Sequence, residues 1–429
     1  MSRIEKFLLD NRFIYPSCSI YGGQENSWDY GHLGVLLKEN LKKCWMEYFI
    51  SGKENTVLYE GNLLTNKEIW EATGHIKHFE RQLVECRDCN ARFEEIVDKC
   101  KSCNSGNLTE PKSFNQIFKV EDYYLRPETA QTIFVNAKLI SLNSKLKFPF
   151  RVAQMGKAFR NEVTTGRKIF RTKEFEQLEF EEFTFPEETE STLEVQKKQV
   201  TNFLIHKLGF SPNSFYFKTI EGQELPHYSK KNLDLYYKFE FGEEELWGIA
   251  NRGDFDLKAH QKHSKAKLHI QAGSDQTTLI PNIVEHSVGL NRLMLAVVTE
   301  FLQTRNNRSW EILSLPLALA PYKFAVLPLS SSQEDEAKKL HQWLQKFSIS
   351  TTLSKGGSIG KRYKEQDQFG TPYCLTVDYD SGSLQQENFS FTIRERDSGS
   401  QIRIGLQELK NYVFKCLNLE ELISKHESN

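Results

Sequence analysis

The segment from Phe159 to Phe180, FRNEVTTGRKIFRTKEFEQLEF, combines residue types that can hold a charged ligand. Side chains on a strand alternate between two faces, so one arm of a hairpin here would carry Arg160 and Glu162 on one face, and the other arm would carry Phe175 and Glu179. An arginine fork binds phosphate, an aromatic ring stacks on a flat base, and carboxylates bind an amine. The hairpin therefore suits a ligand that contains all three groups.

Small and polar residues make up the rest of this predicted face. Gln154, Gly156 and Ala158 precede Arg160 with the same period of two, and Gln177 follows that period on the second arm. The small residues at two of these positions predict room for a ligand above the strand. An arginine and a glutamate two residues apart more often form a surface salt bridge, so the ligand interpretation depends on partners elsewhere in the chain.

A second segment, IVEHSVGLNR from Ile283 to Arg292, supplies such partners. The period of two puts Glu285, Ser287 and Gly289 on one strand face, and Arg292 follows in the first turn of a predicted helix. A helix N-terminus and a guanidinium both favour an anion such as a phosphate. Without the hairpin, the same residues would indicate only a strand-to-helix junction with a solvated arginine.

Four of the eight cysteines form two short pairs, Cys86-x-x-Cys89 and Cys100-x-x-Cys103, separated by ten residues. This spacing is typical of a zinc ribbon, in which two hooks close around one tetrahedral ion. All four ligand positions are filled, so the site would be structural rather than catalytic. The alternative is an insertion, about residues 84–108, that keeps four reduced thiols and binds no metal.

Apolar residues at three- and four-residue spacing predict helices around these segments. The predicted helices run from Val35 onwards, from Leu193 to Leu208 and from Leu290 to Leu302. The predicted strands lie at Phe150–Arg160, Ile169–Phe183 and Ile283–Ser287, and residues 13–34 are predicted as loops. Because strands and helices do not alternate regularly, the pattern favours an α+β domain with a mostly antiparallel sheet flanked by helices.

The pattern changes after a cluster of prolines at residues 314–322. The following elements are predicted as strand 324–327, helix 334–347, strand 349–353, a glycine-rich loop and strand 373–377. This alternation is typical of an α/β domain. We therefore predict a first domain at residues 1–318 and a second at residues 319–429.

Length and charge set wide limits on the function. The 429 residues favour two or three domains, and 56 basic against 57 acidic residues give a formal net charge of −1. This balance excludes a wholly basic scaffold, although nucleic acid could still bind local basic patches. No apolar run reaches membrane-spanning length, and the first fifteen residues lack the apolar core of a secretory signal. We therefore expect a cytoplasmic protein with no membrane partner.

Several blocks of the chain resemble a known family. The hairpin and the Ile283–Arg292 segment resemble motifs 2 and 3 of class II aminoacyl-tRNA synthetases. The resemblance narrows to the dimeric glycyl-tRNA synthetases through SIYGGQENSWDYGHLGVLLKENLKK, which includes the motif 1 region, and through WEATGHIKHF, YYLRPETAQTIF and ELWGIANRGDFDL. It extends from Phe13 to about Ile404. It implies a class II catalytic domain followed by an anticodon-binding domain.

The resemblance implies how ATP is bound. Arg160 matches the motif 2 arginine on the α-phosphate, Glu162 an acidic residue near the adenine, and Phe175 the ring that stacks on the adenine. Arg292 matches the motif 3 arginine on the γ-phosphate, and Glu245 a position where a carboxylate helps to hold Mg²⁺. Arg160 and Arg292 are the implied catalytic residues. The full implied ATP-binding set is Arg160, Asn161, Glu162, Phe170, Arg171, Thr172, Lys173, Glu174, Phe175, Glu245, Leu246, Gly289, Leu290, Asn291 and Arg292.

The resemblance also implies a glycine pocket. Its implied members are Arg92, Glu128, Phe175, Glu176, Gln177, Leu178, Glu179, Glu285, His286, Ser287, Val288 and Gly289. Several carboxylates around one ammonium suit glycine, which offers only charged groups. Ser287 is our candidate for the side chain that fills the space of an alanine methyl. The position of the family's substrate-side arginine falls to either Arg92 or Glu94.

In the second predicted domain, KGGSIGKRYKEQDQFGTPYCLTV and FTIRERDSGSQIRI resemble the family's anticodon-binding domain. Lys361, Arg362 and Lys364 follow a glycine-rich turn with Tyr363 between them, which fits phosphate contacts beside base stacking on single-stranded RNA. A basic run on its own more often marks a solvated face. With the resemblance, we expect these four residues to contact tRNA.

The implied activity is that of an ATP-dependent, AMP-forming ligase, which converts glycine to glycyl-adenylate and transfers it to the 3′ end of tRNA(Gly). ATP with Mg²⁺, structural Zn²⁺ at the cysteines and a homodimer are implied as well. Because the glycine carboxylate itself attacks the α-phosphorus, no protein nucleophile is required. The alternative is a catalytically silent relative, a nucleic-acid-binding accessory subunit, which is disfavoured by the presence of Glu128, Arg160, Glu162, Phe175 and Arg292.

Overall fold

A computed structural model describes residues 2–94, 96–163, 168–220, 222, 225, 228–273, 277–305 and 308–417. Residues 164–167 of the predicted hairpin lie outside this set. The chain forms two compact units: the first comprises Met1–Ile14, Tyr30–Leu41 and Val297–Asn429, and the second comprises Tyr15–Asp29 and Lys42–Ala296. The predicted domain boundary between residues 318 and 319 stays a prediction.

The described residues contain twelve α-helices. They are α1 (Arg3–Asp10), α2 (His32–Phe49), α3 (Lys67–Ala72), α4 (His75–His78), α5 (Ala130–Phe134), α6 (Ala137–Asn143), α7 (Thr189–Asn202), α8 (Phe255–Ser264), α9 (Leu290–Phe301), α10 (Glu334–Gln345), α11 (Ile359–Phe369) and α12 (Leu406–Cys416). Short 3₁₀ turns lie at Ser19–Tyr21, Lys168–Phe170, Pro186–Glu188 and Ser331–Gln333, and a π-helical turn at Phe203–Lys207. None of the described helices combines the length and apolar character needed to cross a membrane.

The strands of the described residues are mostly short. They are β1 (Ile14–Pro16), β2 (Trp28–Tyr30), β3 (Thr56–Leu58), β4 (Leu64–Asn66), β5 (Glu80–Glu85), β6 (Arg92–Phe93), β7 (Lys112–Asn115), β8 (Lys119–Val120), β9 (Tyr123–Leu125), β10 (Phe150–Phe159), β11 (Glu174–Thr184), β12 (Phe215–Ile220), β13 (Lys231–Phe239), β14 (Gly242–Gly253), β15 (Ile270–Gln271), β16 (Thr278–Leu279), β17 (Asn282–Gly289), β18 (Leu302–Gln303), β19 (Ile312–Leu313), β20 (Phe324–Pro328), β21 (Thr351–Leu353), β22 (Tyr373–Val377), β23 (Ser390–Glu395) and β24 (Gln401–Gly405).

The second unit is built on a seven-stranded sheet in the order β12-β13-β14-β17-β11-β10-β3, as far as the described residues show. Every neighbouring pair is antiparallel except β10 and β3, which are parallel. The predicted α+β architecture with a mostly antiparallel sheet is confirmed. Two of the three longest strands, β11 and β14, lie on either side of the central strand β17, and the third, β10, lies next to the edge strand β3.

The period of two gives the central strands β11 and β17 two different faces. On one face the rings of Phe180 and His286 stack with 4.7 Å between their centres, and Phe49 of α2 lies 4.6 Å from His286. On the other face Phe183 and Ile283 pack into an apolar cluster with residues of α5 and α8. The strands are thereby held from both sides, which fixes the polar side chains that lie between these anchors.

Several element boundaries differ from the predictions, and three of them have a visible local cause or a clear shift. α2 begins at His32 instead of Val35. β11 begins at Glu174 instead of Ile169, because Lys168–Phe170 forms a 3₁₀ turn. α7 begins at Thr189, directly after a 3₁₀ turn that Pro186 starts, since proline suits the first turn of a helix.

The first unit contains a five-stranded sheet in the order β21-β20-β22-β23-β24. β20 pairs in parallel with β21 and β22, whereas β23 and β24 continue the sheet antiparallel. The predicted order of strand, helix, strand and strand is confirmed by β20, α10, β21 and β22. The glycine-rich loop leads into α11, which had not been predicted; Ser358 caps its start and Gly370, with a φ of +80°, ends it.

Candidate active site

The second unit contains a cavity of about 320 Å³ above the polar face of β11, β14 and β17. It is lined by Glu128, Ala130, Arg160, Glu162, Ile169, Phe170, Arg171, Thr172, Phe175, Gln177, Glu179, Tyr228, Asn232, Asp234, Glu245, Leu246, Gly248, Ile249, Ala250, Glu285, Ser287, Gly289, Asn291 and Arg292. The hairpin and the Ile283–Arg292 segment both reach it, as predicted. A cavity of this size with many charged walls suits a small charged ligand.

Five acidic side chains form what we call the carboxylate end of the cavity: Glu128, Glu179 and Glu285, which line it, and Glu181 and Asp256, which do not. Strand register creates most of it, because Glu179 lies opposite Ser287 and Glu181 lies opposite Glu285 across β11 and β17. Each of the five acids is at most 8% exposed. So many buried carboxylates repel one another unless cations or hydrogen-bond donors compensate them.

Arg252 of β14 is the main compensating charge at the carboxylate end. Its Nε and Nη2 donate to the two carboxylate oxygens of Asp256 at 2.8 and 3.0 Å, and its Nη1 donates to Glu285 Oε2 at 2.6 Å. Nη2 also lies 3.8 Å from Glu128 Oε1. The guanidinium is 1% exposed and lies 3.8 Å from the ring centre of Tyr228. One planar fork thus fixes the positions of three acids.

Three further polar side chains, of His75, Gln131 and Thr129, complete this network around Glu128 and Glu179. His75 Nε2 lies 3.2 Å from Glu128 Oε1, and Gln131 Nε2 donates to the same oxygen at 3.3 Å. Thr129 Oγ1 donates to Glu179 Oε2 at 2.5 Å. These acids therefore keep donors although water is excluded from them.

The excess of negative charge changes the acidity of the carboxylate end. Burial, together with the charge of Glu285, raises the pKa of Glu179 to about 8. Burial also raises the pKa of Glu181 well above its usual value. Although burial opposes ionisation of Glu128, the neighbouring His75 holds the pKa of that carboxyl below its usual range. The carboxylate end therefore retains protons near neutral pH, and a bound ammonium would allow more of its acids to ionise.

Three arginines and two acids form what we call the arginine end of the cavity: Arg160, Arg171, Arg292, Glu162 and Glu245. Arg160 lies just beyond the end of β10, and its backbone N–H donates to Lys173 O at 2.9 Å. Its Nε donates to Pro127 O at 2.9 Å, and its guanidinium lies 5.4 Å from the ring centre of Phe175. The predicted partnership of Arg160 with an aromatic ring of the second arm is thus present.

Arg292 lies in the first turn of α9, as predicted. Its Nη1 donates to Glu245 O at 2.9 Å and lies 3.6 Å from the Glu245 carboxylate. The guanidinium also lies 4.4 Å from the ring centre of Phe170. Arg171 Nη1 lies 3.8 Å from Glu162 Oε2. Backbone carbonyls, aromatic rings and long ion pairs hold these cations, and phosphate oxygens could replace such contacts at little cost.

One further acid, Asp234 of β13, faces the cavity beside Glu245 of the adjacent strand β14. A Cβ built on Gly248, between them, would lie 4.0 Å from an oxygen of Asp234 and 3.7 Å from an oxygen of Glu245. Burial, together with the charge of Glu245, raises the pKa of Asp234 to about 7. Carboxylate oxygens are the hard ligands that Mg²⁺ prefers, so this donor set fits a divalent cation.

The chain matches the family model of the tRNA synthetase class II core domain (G, H, P, S and T) at residues 117–301, and the model of an anticodon binding domain at residues 323–415. The glycine–tRNA ligase of Mycoplasmoides gallisepticum is 40% identical to it, over 97% of this chain and 98% of that protein. The chain belongs to the glycine–tRNA ligase family. The ligase of Malacoplasma penetrans is 40% identical over 92% of this chain and 93% of its own length, and that of Clostridium kluyveri is 36% identical over 96% and 97%.

Family membership confirms the predicted resemblance and the predicted order of a class II core followed by an anticodon-binding domain. The cavity brings together sixteen of the residues that the resemblance implied. They are Glu128, Arg160, Glu162, Phe170, Arg171, Thr172, Phe175, Gln177, Glu179, Glu245, Leu246, Glu285, Ser287, Gly289, Asn291 and Arg292.

Other implied residues of this family member do not line the cavity. They are Arg92, Asn161, Lys173, Glu174, Glu176, Leu178, His286, Val288 and Leu290. Leu178, His286 and Val288 are buried on the opposite face of the sheet, because neighbouring residues of a strand point to opposite sides. A contiguous run of a strand cannot line one cavity with all its side chains, which corrects the predicted contacts of these three.

The substrate-side arginine is not found at either predicted position. Arg92 is exposed on β6 and pairs with Glu85 at 3.2 Å. Glu94 accepts hydrogen bonds from Gln116 Nε2 and from the backbone N–H of Val163, and it does not line the cavity either. The arginine at the carboxylate end is Arg252, far along the chain in the GIANRGDF block.

The room predicted above Gly156 is already occupied. A Cβ on Gly156 would lie 2.2 Å from Arg126 Nη2, so glycine is required there for packing. Arg126 donates to Lys157 O at 2.7 Å, to Gly61 O at 2.9 Å and to Gln154 Oε1 at 3.1 Å. Gly156 thus makes space for a buried arginine and not for a ligand, which corrects the prediction.

The four paired cysteines come together in the segments that connect the strands of a small sheet formed by β6, β5 and β7. Their sulfurs all lie within 4.8 Å of one another, with 3.6 Å between Cys86 and Cys103 and 3.4 Å between Cys89 and Cys100. Zinc bonds of about 2.3 Å in a tetrahedron separate sulfurs by about 3.8 Å, so the cluster fits that ion. The backbone N–H of Ser102 also points at Cys100 Sγ at 3.3 Å, a contact that favours a thiolate.

The residues predicted to contact tRNA lie on α11 of the first unit. Lys361 and Lys364 are exposed. Arg362 is only 3% exposed, and its Nη1 donates to Pro328 O at 2.7 Å, so this side chain packs inward and the predicted RNA contact is corrected. Tyr363 is partly buried.

Several residues that line the cavity or bind its lining acids had not been predicted, and neither had Glu181 or Asp256 beside them. They are His75, Thr129, Gln131, Glu181, Tyr228, Asp234, Arg252 and Asp256. Glu181 continues the period of two of Gln177 and Glu179, so the strand pattern alone could have found it. For Arg252 the available signal was a charged residue at the end of the apolar run LWGIA, which indicates burial with a partner.

Proposed function

We propose that the chain activates glycine with ATP to form glycyl-adenylate and transfers the glycine to the 3′ end of tRNA(Gly). The observation that carries the proposal is the juxtaposition of the carboxylate end and the arginine end in one cavity. The first offers several acids to an ammonium, and the second offers guanidiniums to a triphosphate. The names of the relatives support the same activity.

At the carboxylate end, Glu128, Glu179 and Glu285 would bind the ammonium of glycine. All three line the cavity and are at most 8% exposed, so an ammonium would meet them with little water between. Ser287, half-buried opposite Glu179, would fill the space that the methyl of alanine needs. A substrate without a side chain gains its affinity from such charged contacts.

At the arginine end, Phe175 would stack on the adenine and Glu162 would lie near its amino group. The glycine carboxylate attacks the α-phosphorus of ATP, the bond to the bridging oxygen breaks, and pyrophosphate leaves. Arg160 would neutralise the charge that develops on the α-phosphate, and Arg292 would hold the leaving pyrophosphate. Catalysis then consists of positioning and electrostatic stabilisation.

Glu245, with Asp234 beside it, would hold Mg²⁺ that arrives with ATP. Bound there, Mg²⁺ would neutralise charge on the phosphates. The raised pKa of Asp234, which burial and the charge of Glu245 cause, supports this role, because a divalent cation would relieve the repulsion of the two acids.

The cysteine cluster would hold one structural Zn²⁺, for which the four sulfurs within 4.8 Å of one another are the support. Metal analysis of the purified chain should give one zinc per chain. Cys100→Ser should lose that zinc, whereas Cys44→Ser, which changes a cysteine outside the cluster, should keep it. If purified wild-type protein contained no metal, the alternative of four reduced thiols that bind no metal would be favoured.

We also propose that the first unit binds the anticodon part of tRNA(Gly), with Lys361 and Lys364 on its exposed surface, and that the protein acts as a homodimer in the cytoplasm. The match to an anticodon binding domain supports the tRNA contact. Sedimentation of the purified protein tests the dimer.

The decisive experiment is amino-acid-dependent exchange of pyrophosphate into ATP, scanned over the twenty amino acids. The proposal predicts exchange with glycine alone. Exchange that depends on another amino acid would show that the substrate is that amino acid and not glycine. Binding of tRNA without any exchange would favour the catalytically silent accessory subunit.

A further inference from the structure

We propose that Glu181 is held as a neutral carboxylic acid that donates its proton to Glu285, and that this hydrogen bond positions Glu285 for the ligand's ammonium. The proposal relies on the proposed function only for the identity of that ligand. Glu181 itself does not line the cavity, so it would act through Glu285 as a positioning residue.

The donors of the carboxylate end are distributed unevenly. Thr129 donates to Glu179, Gln131 donates to Glu128, and Arg252 donates to Asp256 and Glu285. His75 Nε2 also lies 3.2 Å from Glu128. Glu181 is 0% exposed, and neither of its carboxylate oxygens has a hydrogen-bond partner within the described residues. An acid that is buried without any donor cannot remain ionised at an acceptable cost, whereas a protonated acid can itself donate.

The surroundings of Glu181 offer acceptors on one side and apolar groups on the other. Its carboxylate lies opposite Glu285, and one oxygen of each of Glu179, Glu181 and Glu285 lies within 4.8 Å of the others. Its partner on β10 is Val152, which belongs to the apolar cluster with Phe183, the next residue on the same face. Among these described neighbours, only the carboxylates of Glu179 and Glu285 can accept the proton of Glu181.

The charged groups of all packed elements agree with this assignment. Glu179 shares the strand, Glu285 faces Glu181 from β17, and Arg252 comes from β14. α8 adds Asp256 and His260, and the segment before α5 adds Glu128. All three donor nitrogens of Arg252 are already engaged by Asp256 and Glu285. Burial, with the charges of Glu285 and Glu179, raises the pKa of Glu181 well above its usual value.

The consequence lies at Glu285. Arg252 binds it from one side at 2.6 Å, and the acid proton of Glu181 would bind it from the other. Burial raises the pKa of Glu285, and two donors would oppose that shift, favour the ionised carboxylate and fix its direction toward the cavity, where the ammonium would bind.

Two variants separate a neutral donor from an ionised acid. Glu181→Gln keeps the shape and a donor but cannot ionise, whereas Glu181→Met fills the space without a donor. We expect Glu181→Gln to keep the KM for glycine within about threefold of the wild type, and Glu181→Met to raise it about tenfold or more, the scale of a lost hydrogen bond to a charged group. The KM for ATP should change little in both. An equal loss in both variants, or an unchanged KM for glycine in Glu181→Met, would overturn the proposal.

Thermal unfolding of the unliganded protein gives a test without any substrate. An acid whose pKa is raised by folding adds stability that is fully present below its unfolded pKa and is lost as the pH rises through the folded one. Replacing Glu181 by Gln removes this loss, so the Tm of Glu181→Gln minus that of the wild type should grow as the pH rises from 5 to 8.

Glu182→Gln is the matched control for the thermal test. Glu182 is the next residue and is also buried, but its carboxylate accepts from Arg151 at 2.6 Å and from Gln196 at 3.3 Å. Its replacement should therefore lower the Tm throughout this pH range. A pH-independent difference for Glu181→Gln would sink the neutral-acid assignment and leave the proposed function untouched, whereas wild-type protein without glycine-dependent exchange would sink the proposed function alone.

Discussion

The two ends of the cavity solve the same problem, a concentration of like charges, in different ways. At the carboxylate end the acids and Arg252 are buried, and Arg252 binds two of the acids, Asp256 and Glu285, at 2.6 to 3.0 Å. At the arginine end the ion pairs are 3.6 and 3.8 Å long, and the side chains of Arg171 and Glu245 are 43% and 48% exposed. The carboxylate end is therefore a buried network of short contacts, whereas the charged side chains of the arginine end make long contacts and are partly exposed.

The difference follows from solvent. A buried charge must find its partners within the protein itself, since leaving it unpaired costs several kcal/mol, so the carboxylate end has to be complete before any substrate arrives. An exposed charge is satisfied by water until a ligand replaces it. Substitutions at the carboxylate end should therefore affect folding as well as binding, whereas substitutions at the arginine end should affect mainly the chemistry.

The largest effect is expected for Arg252→Ala. It leaves Asp256 and Glu285 without their cation, and breaking a buried ion pair from one side costs about 3–5 kcal/mol. Urea denaturation should show a loss of this size in the free energy of unfolding. Arg171→Ala, at the other end, is the control and should change it by less than about 1 kcal/mol. Similar losses for the two variants would remove the distinction between the ends.

The next effect is expected for Arg160→Ala. Removing one positioned donor to a developing charge typically lowers the rate about 10²- to 10³-fold, so glycine-dependent pyrophosphate exchange should fall by at least that factor. Thermal unfolding and tRNA binding, measured by filter retention, should stay close to the wild type. Lys157→Ala, an exposed lysine on β10, is the matched control. Exchange that survives in Arg160→Ala contradicts the proposed role on the α-phosphate.

The arginine end was more predictable from the sequence than the carboxylate end. Arg160 and Arg292 stand at the ends of segments whose period of two and helical start are visible in the residues themselves. The carboxylate end depends on Arg252 and Asp256, whose meaning appears only when β14 and α8 meet the acids of β11 and β17. Local pattern predicts which face a side chain takes, but not which distant charge it will meet.

The same limit explains the helix that was not predicted. α11 buries Arg362, Gln366 and Asp367, which are polar, so its sequence lacks the apolar stripe from which helices are predicted. Asp367 accepts from Arg394 at 2.8 and 3.0 Å and from Arg308 at 2.8 Å, which makes burial of these charges tolerable. Helices whose buried face is apolar, such as α9 and α10, were predicted close to their true limits.

A smaller effect concerns pH and separates the two ends again. Because burial and the charge of Glu285 raise the pKa of Glu179 to about 8, this acid is mostly protonated at pH 6 in the free protein. Glycine keeps its ammonium over this range and binds Glu179 in its ionised form. If binding requires Glu179 to lose one proton, the KM for glycine changes by at most about tenfold per pH unit. The KM for glycine should therefore fall as the pH rises from 6 to 8 and level off above it. The KM for ATP should not follow that curve, and a flat profile for glycine would mean that Glu179 is already ionised.

The smallest effect is expected for substitutions of Ser287. This side chain is half-buried, so it is intermediate between the buried carboxylate end and the more exposed arginine end. Glycine cannot be selected by a pocket that fills; alanine has to be excluded by an atom in the place of its methyl. Ser287→Gly empties that place, and discrimination by one methyl is worth about tenfold or somewhat more, so the preference for glycine over alanine in pyrophosphate exchange should fall by about that factor. Ser287→Ala keeps Cβ and loses only the hydroxyl, so its preference for glycine over alanine should lie between that of the wild type and that of Ser287→Gly.

Because Gln177 Nε2 donates to Ser287 Oγ at a long 3.4 Å, little stability depends on this hydroxyl, and Tm should stay near the wild type in both variants. If Ser287→Gly kept the wild-type preference for glycine over alanine, the acids of the carboxylate end, and not the Ser287 side chain, would exclude alanine.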